Sequence, residues 1–358
     1  MQHAIPCLFM RGGTSRGPFF HAADLPADIE SRDRVLLAVM GSPDPRQIDG
    51  LGGAHPLTSK VGIVSRSKLP GVDLDFLFAQ LQPDEDTVDT TPNCGNMLAA
   101  VVPFALETGL VAARGETTTL RVLTLNTGMQ CDVTVQTPGG RIDYAGDARI
   151  DGVPGTSAPI EINFLDTAGS VCSGLLPTGH TRDEIDGVSV TCIDNGMPMV
   201  LMRAPDLGRT GYESVTQLNA DSELKARLES LRLAAGIAMG LGDVAKKTYP
   251  KMCLIAPPRD GGSLATRCFI PHVCHDAIGV LAAVTVGTAC VLPGSIAEGV
   301  ASVPPGLRKT ISVEHPTGEF SVELELDPAN PRNVLRAALL RTARLIMRGE
   351  VMVPESRT

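Results

Sequence analysis

Short runs of alternating apolar and polar residues dominate this chain, and two runs with no polar face interrupt them. Val72, Leu74, Phe76 and Phe78 alternate with Asp73 and Asp75, the period-two signature of a half-buried strand. Residues 118–135 predict a hairpin that turns at Asn126-Thr127-Gly128. Further strands are expected over 4–10, 57–65, 187–193, 197–203, 251–257, 263–270, 309–314 and 319–326, and helices over 29–40, 96–108, 220–239 and 275–291. Over 334–347 the periodicity allows either helix or strand.

Residues 96–108 and 275–291 are apolar on nearly all sides, so both helices belong inside the protein. Each sits near the middle of one half of the chain, with strands before and after it. Each also begins at a polar cluster, Asn93-Cys94-Gly95-Asn96 in one half and His272-Val273-Cys274-His275-Asp276 in the other. The economical architecture is α+β, with two pseudo-symmetric domains over 1–178 and 179–358. Each is a curved, mostly antiparallel sheet wrapped round a central apolar helix, and the two helix starts face one cleft. Pro- and Gly-rich stretches at 152–158 and 174–179 offer the linker, and the C-terminal segment is expected to return to the first domain.

Charge and composition narrow the function. A net charge of -9, no tryptophan and only three tyrosines argue against nucleic acid as a partner. Residues 277–297 carry no charge, a length that matches a membrane span. Gly279, Thr285, Gly287, Thr288, Pro293 and Gly294 dilute that run, so a buried helix is expected and no membrane partner. The N-terminus lacks the basic start and apolar core of a signal peptide, and with nine cysteines this places the protein in the cytoplasm. The odd count and the lack of CxxC disfavour both a disulfide framework and a zinc finger.

Among those cysteines Cys94 stands apart. It lies between two asparagines and a glycine at the mouth of the helix over 96–108. Free N–H groups at a helix start attract anions, and such a setting favours a thiolate. Cys7, Cys131, Cys192, Cys253 and Cys290 fall inside apolar patterns and are expected to be core residues.

Lys60 is the second candidate, one of seven lysines, set in the apolar strand pattern over 57–65. An amine withdrawn from water gives up its proton more readily and can serve as a base. The plain alternative is an edge-strand lysine that reaches solvent. Upstream, Asp49-Gly50-Leu51-Gly52-Gly53 makes a tight turn that either brings backbone to a ligand or only reverses the chain. Arg11-Gly12-Gly13-Thr14-Ser15-Arg16-Gly17 has the glycines and hydroxyls of an anion-binding nest, or of a simple polar turn. It matches neither the Walker nor the dinucleotide pattern. His272 and His275 lack the further ligands a zinc site needs. His275 is expected to cap the second central helix or to donate a hydrogen bond to a ligand. No Gly-x-Ser-x-Gly elbow points to a serine hydrolase.

Taken in order, these motifs resemble the PrpF-like branch of the diaminopimelate epimerase fold superfamily. The resemblance runs through Met10-Arg11-Gly12-Gly13-Thr14-Ser15-Arg16-Gly17, Asp49-Gly50-Leu51-Gly52-Gly53, Leu57-Thr58-Ser59-Lys60-Val61 and Asn93-Cys94-Gly95-Asn96. It continues through Asp194-Asn195-Gly196-Met197-Pro198, Thr210-Gly211-Tyr212-Glu213, Pro250-Lys251-Met252 and His275. Arg34-Val35-Leu36-Leu37-Ala38-Val39-Met40-Gly41-Ser42-Pro43-Asp44 and Thr191-Cys192-Ile193 make it most similar to the branch members that tautomerise or isomerise 4-oxalomesaconate in gallate and protocatechuate breakdown. The resemblance implies two pseudo-symmetric domains, no cofactor and no metal. It also implies a catalytic pair that falls on Lys60 and Cys94 here. Arg16 stands where the family's GGTSKG turn has lysine. Cys274 lies near the second helix start, where the family has histidine, and it is given no catalytic role.

The chemistry suits these groups. A hydrogen beside a keto acid and conjugated with an alkene is acidic enough for a side-chain base, and its loss leaves a dienolate. The N–H groups of Gly95 and Asn96, with Ser15, are placed to hold that charge, and a second group returns the proton at another atom. Thr14, Ser15, Arg16, Asn93, Gly95, Asn96, Arg267 and His275 are the expected substrate contacts for a tricarboxylate, with a homodimer as the candidate assembly. Aconitate or methylitaconate isomerisation uses the same pair on a smaller acid. Amino-acid epimerisation needs a second cysteine. A noncatalytic carboxylate-binding protein is the alternative from another class.

Overall fold

The computed structural model describes residues 1–165, 167–330 and 333–355. Two compact units divide the chain, Met1–Leu165 with Arg341–Thr358 and Asp166–Leu340. The sequence places the change of domain at 178/179; the compact units change at Leu165/Asp166, and the chain re-enters the first unit at Arg341.

In the first unit β1 (Gln2–Gly12) and β2 (Ser15–His21) form a hairpin, followed by helix α1 (Ile29–Met40). Then come β3 (Lys60–Arg66), β4 (Leu74–Leu81), the short β5 (Val88–Asp89), and the helical segments α2 (Gly95–Leu98) and α3 (Val101–Glu107). β6 (Thr117–Thr124), β7 (Gln130–Gln136) and β8 (Ile160–Phe164) complete the run. β2 lies parallel to β3, β3 antiparallel to β4, β4 parallel to β6, and β6, β7 and β8 are antiparallel in turn. The final strand of the chain, Ala343–Pro354, pairs antiparallel with β1.

The second unit repeats the order of the principal strands and of the central helix. β9 (Asp183–Ile185), β10 (Val188–Asp194) and β11 (Pro198–Arg203) precede helices α4 (Val215–Ala220) and α5 (Ser222–Ala238). β12 (Lys251–Ala256) and β13 (Leu264–Phe269) lead to α6 (Val280–Val291), then β14 (Arg308–His315), β15 (Gly318–Leu326) and β16 (Val334–Arg341). β10 and β11 are antiparallel, β11 and β12 parallel, β12 and β13 antiparallel, β13 and β14 parallel, and β14, β15 and β16 antiparallel. Thus β2, β3, β4 and β6 correspond to β11, β12, β13 and β14. The ambiguous run over 334–347 holds parts of two strands.

Each sheet covers a central helix on one face. α6 packs on β10, β11, β14 and β15, and every residue from Ala282 to Val291 is buried. In the first unit α2 packs on β1, β2 and β3 and α3 on β3 and β7. Another helix lies elsewhere on each sheet: α1 places Val35, Leu36, Val39 and Met40 in a core with Ile5, Phe20, Val61 and Ile63, and α5 packs on β9 and β12. Asp28 caps α1 by accepting from the Ser31 N–H at 2.8 Å, and Gly41 ends it in the left-handed conformation at φ 79°.

Two helix expectations are corrected. The helix over 96–108 is broken after Leu98, because Pro103 has no N–H for the Ala99 carbonyl and its ring would strike that carbonyl. The chain tightens there, with Ala99 and Ala100 N–H donating to Asn96 and Met97 carbonyls, and restarts at Val101 with proline in its first turn. Cys94 therefore heads a single helical turn, without the dipole of a long helix. The second helix begins at Val280, with Gly279 as its N-cap, so His275 is not at its start. The Ala277 N–H donates to His275 Nδ1 at 2.8 Å in the loop before the helix.

The turn between β1 and β2 is held tightly against the central elements. A Cβ on Gly17 would stand 1.8 Å from the Lys60 carbonyl oxygen, and one on Gly12 would stand 2.3 Å from that of Asn96. Gly17→Ala should lower stability by about 1–3 kcal/mol, read as the urea midpoint. Gly349→Ala, with nothing within 4 Å of the added carbon, should change it by less than about 0.5 kcal/mol. Equal midpoints for the two variants would show that Gly17 is not pressed on Lys60.

Candidate functional site

Lys60 opens β3, which runs between β2 and β4, so it is an interior residue and not an edge lysine. It is 8% exposed. Its Nζ lies 3.5 Å from Cys94 Sγ and 5.0 Å from the centre of the Phe78 ring. Cys94 is part-exposed and is the N-cap of α2, where its side chain makes no capping hydrogen bond. The thiol is therefore available to the ammonium. The two residues that the sequence singled out separately are in contact.

A polar scaffold that sequence reasoning missed lies beneath Lys60. The Ser59 hydroxyl donates to Gln47 Oε1 at 2.8 Å, the Ala54 N–H donates to the same oxygen at 2.9 Å, and Gln47 Nε2 donates to Ser42 Oγ at 3.2 Å. Gln47 is buried, although its neighbours Arg46 and Ile48 read as an exposed loop. The turn over 49–53 docks on the end of α1, with Leu51 and Gly52 N–H donating to the Val39 and Met40 carbonyls. A Cβ on Gly52 would stand 2.1 Å from the Gln47 amide. This turn supports Lys60.

The Arg11–Gly17 turn is a hairpin tip and not an open nest, since the Gly13 N–H donates to the Thr342 carbonyl at 2.8 Å. Asn96 Nδ2 donates to Thr14 Oγ1 at 3.0 Å, which ties the tip to α2. Two polar atoms of this region, the Ser15 hydroxyl and Asn96 Oδ1, are buried with no partner among the described residues. Buried polar atoms left unpaired are costly, and these flank the start of α2. Gly95 and Asn96 are its first two residues, so their N–H groups have no acceptor within the helix. Asn93 Nδ2 donates to Thr127 Oγ1 at 2.5 Å and anchors the approach to Cys94. Arg16 is exposed, with its guanidinium 5.8 Å from the Phe9 ring centre and Nη2 3.1 Å from where a Gly53 Cβ would stand.

In the second unit Arg267 donates from Nε to the Glu213 carbonyl and from Nη1 to the Thr266 carbonyl, each at 2.8 Å. The His272, Cys274 and His275 side chains diverge. His272 lies 3.5 Å from Glu229, Cys274 is buried in the core, and His275 is exposed in its loop. No three His, Cys, Asp or Glu residues gather as a metal site among the described residues. No helix there is long and apolar enough to cross a membrane. A separate cavity of about 460 Å³ in the first unit, lined by Cys7, His21, Phe104, Glu107 and Arg348, shares no residue with the Lys60–Cys94 pair.

The profile of the PrpF protein family matches residues 2–354. The chain belongs to the PrpF family. Within this family it is 60% identical over 350 residues to the (4E)-oxalomesaconate Delta-isomerase of Novosphingobium sp. (strain KA1), covering 98% of each chain. It is 56% identical over 353 residues to the 4-oxalomesaconate tautomerase of Pseudomonas putida (strain KT2440), covering 98% of this chain and 97% of that one. The crystal structure of a methylitaconate-delta-isomerase superposes with a TM-score of 0.87 at 36% identity, covering 99% of this chain and 97% of that one. The mixed α/β fold expected from the sequence is thus that of a PrpF-family isomerase.

The site sets Cys94 apart from the other thiols of this PrpF-family chain. Burial pushes Cys172, Cys192, Cys274 and Cys290 up to about 12, whereas Cys94 is part-exposed beside an ammonium group. Iodoacetamide at neutral pH should therefore alkylate Cys94 first, as read by peptide mass spectrometry, because burial keeps those four thiols from ionising to the reactive form. Initial labelling at Cys172, the other part-exposed cysteine, would contradict this placement.

Proposed function

We propose that this PrpF-family chain is an isomerase of 4-oxalomesaconate, and that Lys60 and Cys94 are its acid–base pair. The observation that carries the reading is the 3.5 Å contact between the Lys60 ammonium and the Cys94 thiol at the start of α2. The Ser15 hydroxyl, in the hairpin tip that Asn96 ties to α2, is buried without a partner among the described residues. Full-length identity of 60% and 56% to the two 4-oxalomesaconate enzymes supports the substrate.

The reaction needs one group to take a proton and one to return it. A base removes the acidic hydrogen next to the keto acid, and the electron pair delocalises over the conjugated alkene as a dienolate. The conjugate acid of the other member delivers a proton at a different atom, and the double bond moves. Two contacting groups of different chemistry can hold one proton to give and one lone pair to receive. Negative charge that develops on the substrate oxygens is stabilised by the N–H groups of Gly95 and Asn96 and by the Ser15 hydroxyl.

Cys94→Ser should leave the thermal midpoint nearly unchanged, since Cys94 makes no cap and is not in the core, while turnover falls by about 10²-fold or more. Lys60→Met keeps an apolar stem in the same space and should fold, bind weakly and lose turnover to a similar degree. Unchanged turnover in either variant removes that residue from the mechanism.

Substrate choice is tested on one preparation of wild-type enzyme in deuterated water. Oxalomesaconate should show the highest kcat/KM and take up deuterium at the isomerised carbon. Equal or better use of aconitate or methylitaconate would move the protein to that activity. Binding without deuterium uptake would make it a carboxylate-binding protein.

A further inference from the structure

The turn Asn126-Thr127-Gly128, which joins β6 to β7, is tied both to the strand beside Lys60 and to the loop that ends at Cys94. β4 lies parallel to β6 as far as Phe76, which stands opposite Thr124. Beyond that point the β6 chain turns away, and the Asn126 side chain takes over as the partner of β4. Its Oδ1 accepts from the Phe78 N–H at 2.9 Å, and its Nδ2 donates to the Phe78 carbonyl at 2.8 Å. The same Nδ2 also donates to the Thr90 carbonyl at 2.7 Å. Both hydrogens of the amide are therefore used, one on β4 and one on the loop that follows β5.

Thr127 adds a second tie to that loop. Asn93 Nδ2 donates to the Thr127 hydroxyl at 2.5 Å and lies 3.6 Å from Met129 Sδ. The hydroxyl also lies 3.3 Å from that of Thr124. The loop from β5 to Cys94 is thus fastened to one turn near each of its ends, at Thr90 and at Asn93.

What the turn fastens on each side bears on the pair. The Phe78 ring is buried, with its centre 5.0 Å from Lys60 Nζ. An aromatic face attracts an ammonium, so fixing Phe78 helps to fix the amine. Asn93 immediately precedes Cys94, whose side chain makes no capping bond. With no cap bond to hold it, the sulfur takes its place from the loop backbone before it. One amide and one hydroxyl in the same turn therefore govern where the two groups stand relative to each other.

We propose that Asn126 and Thr127 are positioning residues that set the contact between Lys60 Nζ and Cys94 Sγ. Proton transfer is sensitive to such geometry, and misplacing a group by about 1 Å can cost about 10²-fold in rate. The role in turnover rests on the isomerase reading above; the spacing of the two groups does not.

ortho-Phthalaldehyde reads that spacing without any substrate. It condenses with an amine and a thiol in contact, losing two waters, to give a fluorescent isoindole. In the wild type the isoindole should map to Lys60 and Cys94 by peptide mass spectrometry. Its rate of formation should fall about tenfold or more in Thr127→Val, which removes the hydroxyl at nearly constant volume, and recover in Thr127→Ser. Asn126→Ala should slow it as well. On the unsaturated acid that the wild type uses, kcat should fall in Thr127→Val while KM stays within about threefold. Isoindole formation at the wild-type rate in folded Thr127→Val overturns the proposal, and so does a loss that Thr127→Ser fails to restore. Absence of a Lys60–Cys94 isoindole in the wild type overturns it too. Where Asn126→Ala does not fold, the two Thr127 variants decide alone. A lost isoindole with unchanged kcat would keep the positioning role and sink the acid–base reading of the pair.

Discussion

A helix that is apolar on every side cannot rest on a surface, and enclosing such a helix is the constraint on which each unit is built. Every residue of α6 from Ala282 to Val291 is buried, so sheet strands must cover it on several sides. Small residues let the strands approach: a Cβ on Gly287 would already stand 3.3 Å from Val322. The few polar groups inside are satisfied locally. Thr285 donates to the Asn195 carbonyl at 3.0 Å, Asn195 donates to Thr288 at 2.8 Å, and Thr288 donates to the Val284 carbonyl at 2.8 Å. This network fixes the turn after β10 to the helix without leaving a buried donor unpaired. The same enclosure in the first unit brings the tip of β1 and β2 onto α2, and with it the unpaired Ser15 hydroxyl.

Enclosure also explains why chemistry collects at a helix start. The flanks of an enclosed helix are sealed by side chains, and its ends are where backbone N–H groups remain to be satisfied. In the first unit the break at Pro103 shortens the helix that follows Cys94, so little of the site's electrostatics can come from a long dipole. Local groups supply it: the Lys60 ammonium, two N–H groups and a hydroxyl. Lys60 is steered by backbone as much as by side chains. Gly17 presses on its carbonyl, and Ser59 before it is bonded to the buried Gln47. An ammonium held this way needs little reorganisation when an anion comes near.

Strands with a clear period of two were legible in the sequence, and so were the hairpin at Asn126-Thr127-Gly128 and the two apolar helices. β2 was hidden because Gly17 to Phe20 is buried without interruption, which removes the alternation. Residues 275–279 read as helix since they extend an uncharged run, but the backbone of Gly279 is extended, at φ -66° and ψ 147°, and the helix begins after it. Cys94 and Lys60 were legible as out-of-place residues, a thiol among amides and a lysine in an apolar strand. Their contact was not, because 34 residues and two strands separate them. Gln47 left no signal at all, since a buried glutamine in a loop looks like any polar loop residue until its partners are known.

The two units show how one scaffold can carry the same residue into two settings. Both deliver a lysine at the first residue of the same strand and point it at the N-cap of the enclosed helix. What differs is the residue at that cap. With cysteine at the cap the amine stands 3.5 Å from a second group that carries a proton. With glycine the amine meets no side chain at the cap, and the thiol that acts on it is that of Cys268 in β13. The cap residue, cysteine in one unit and glycine in the other, is what sets the two lysines apart.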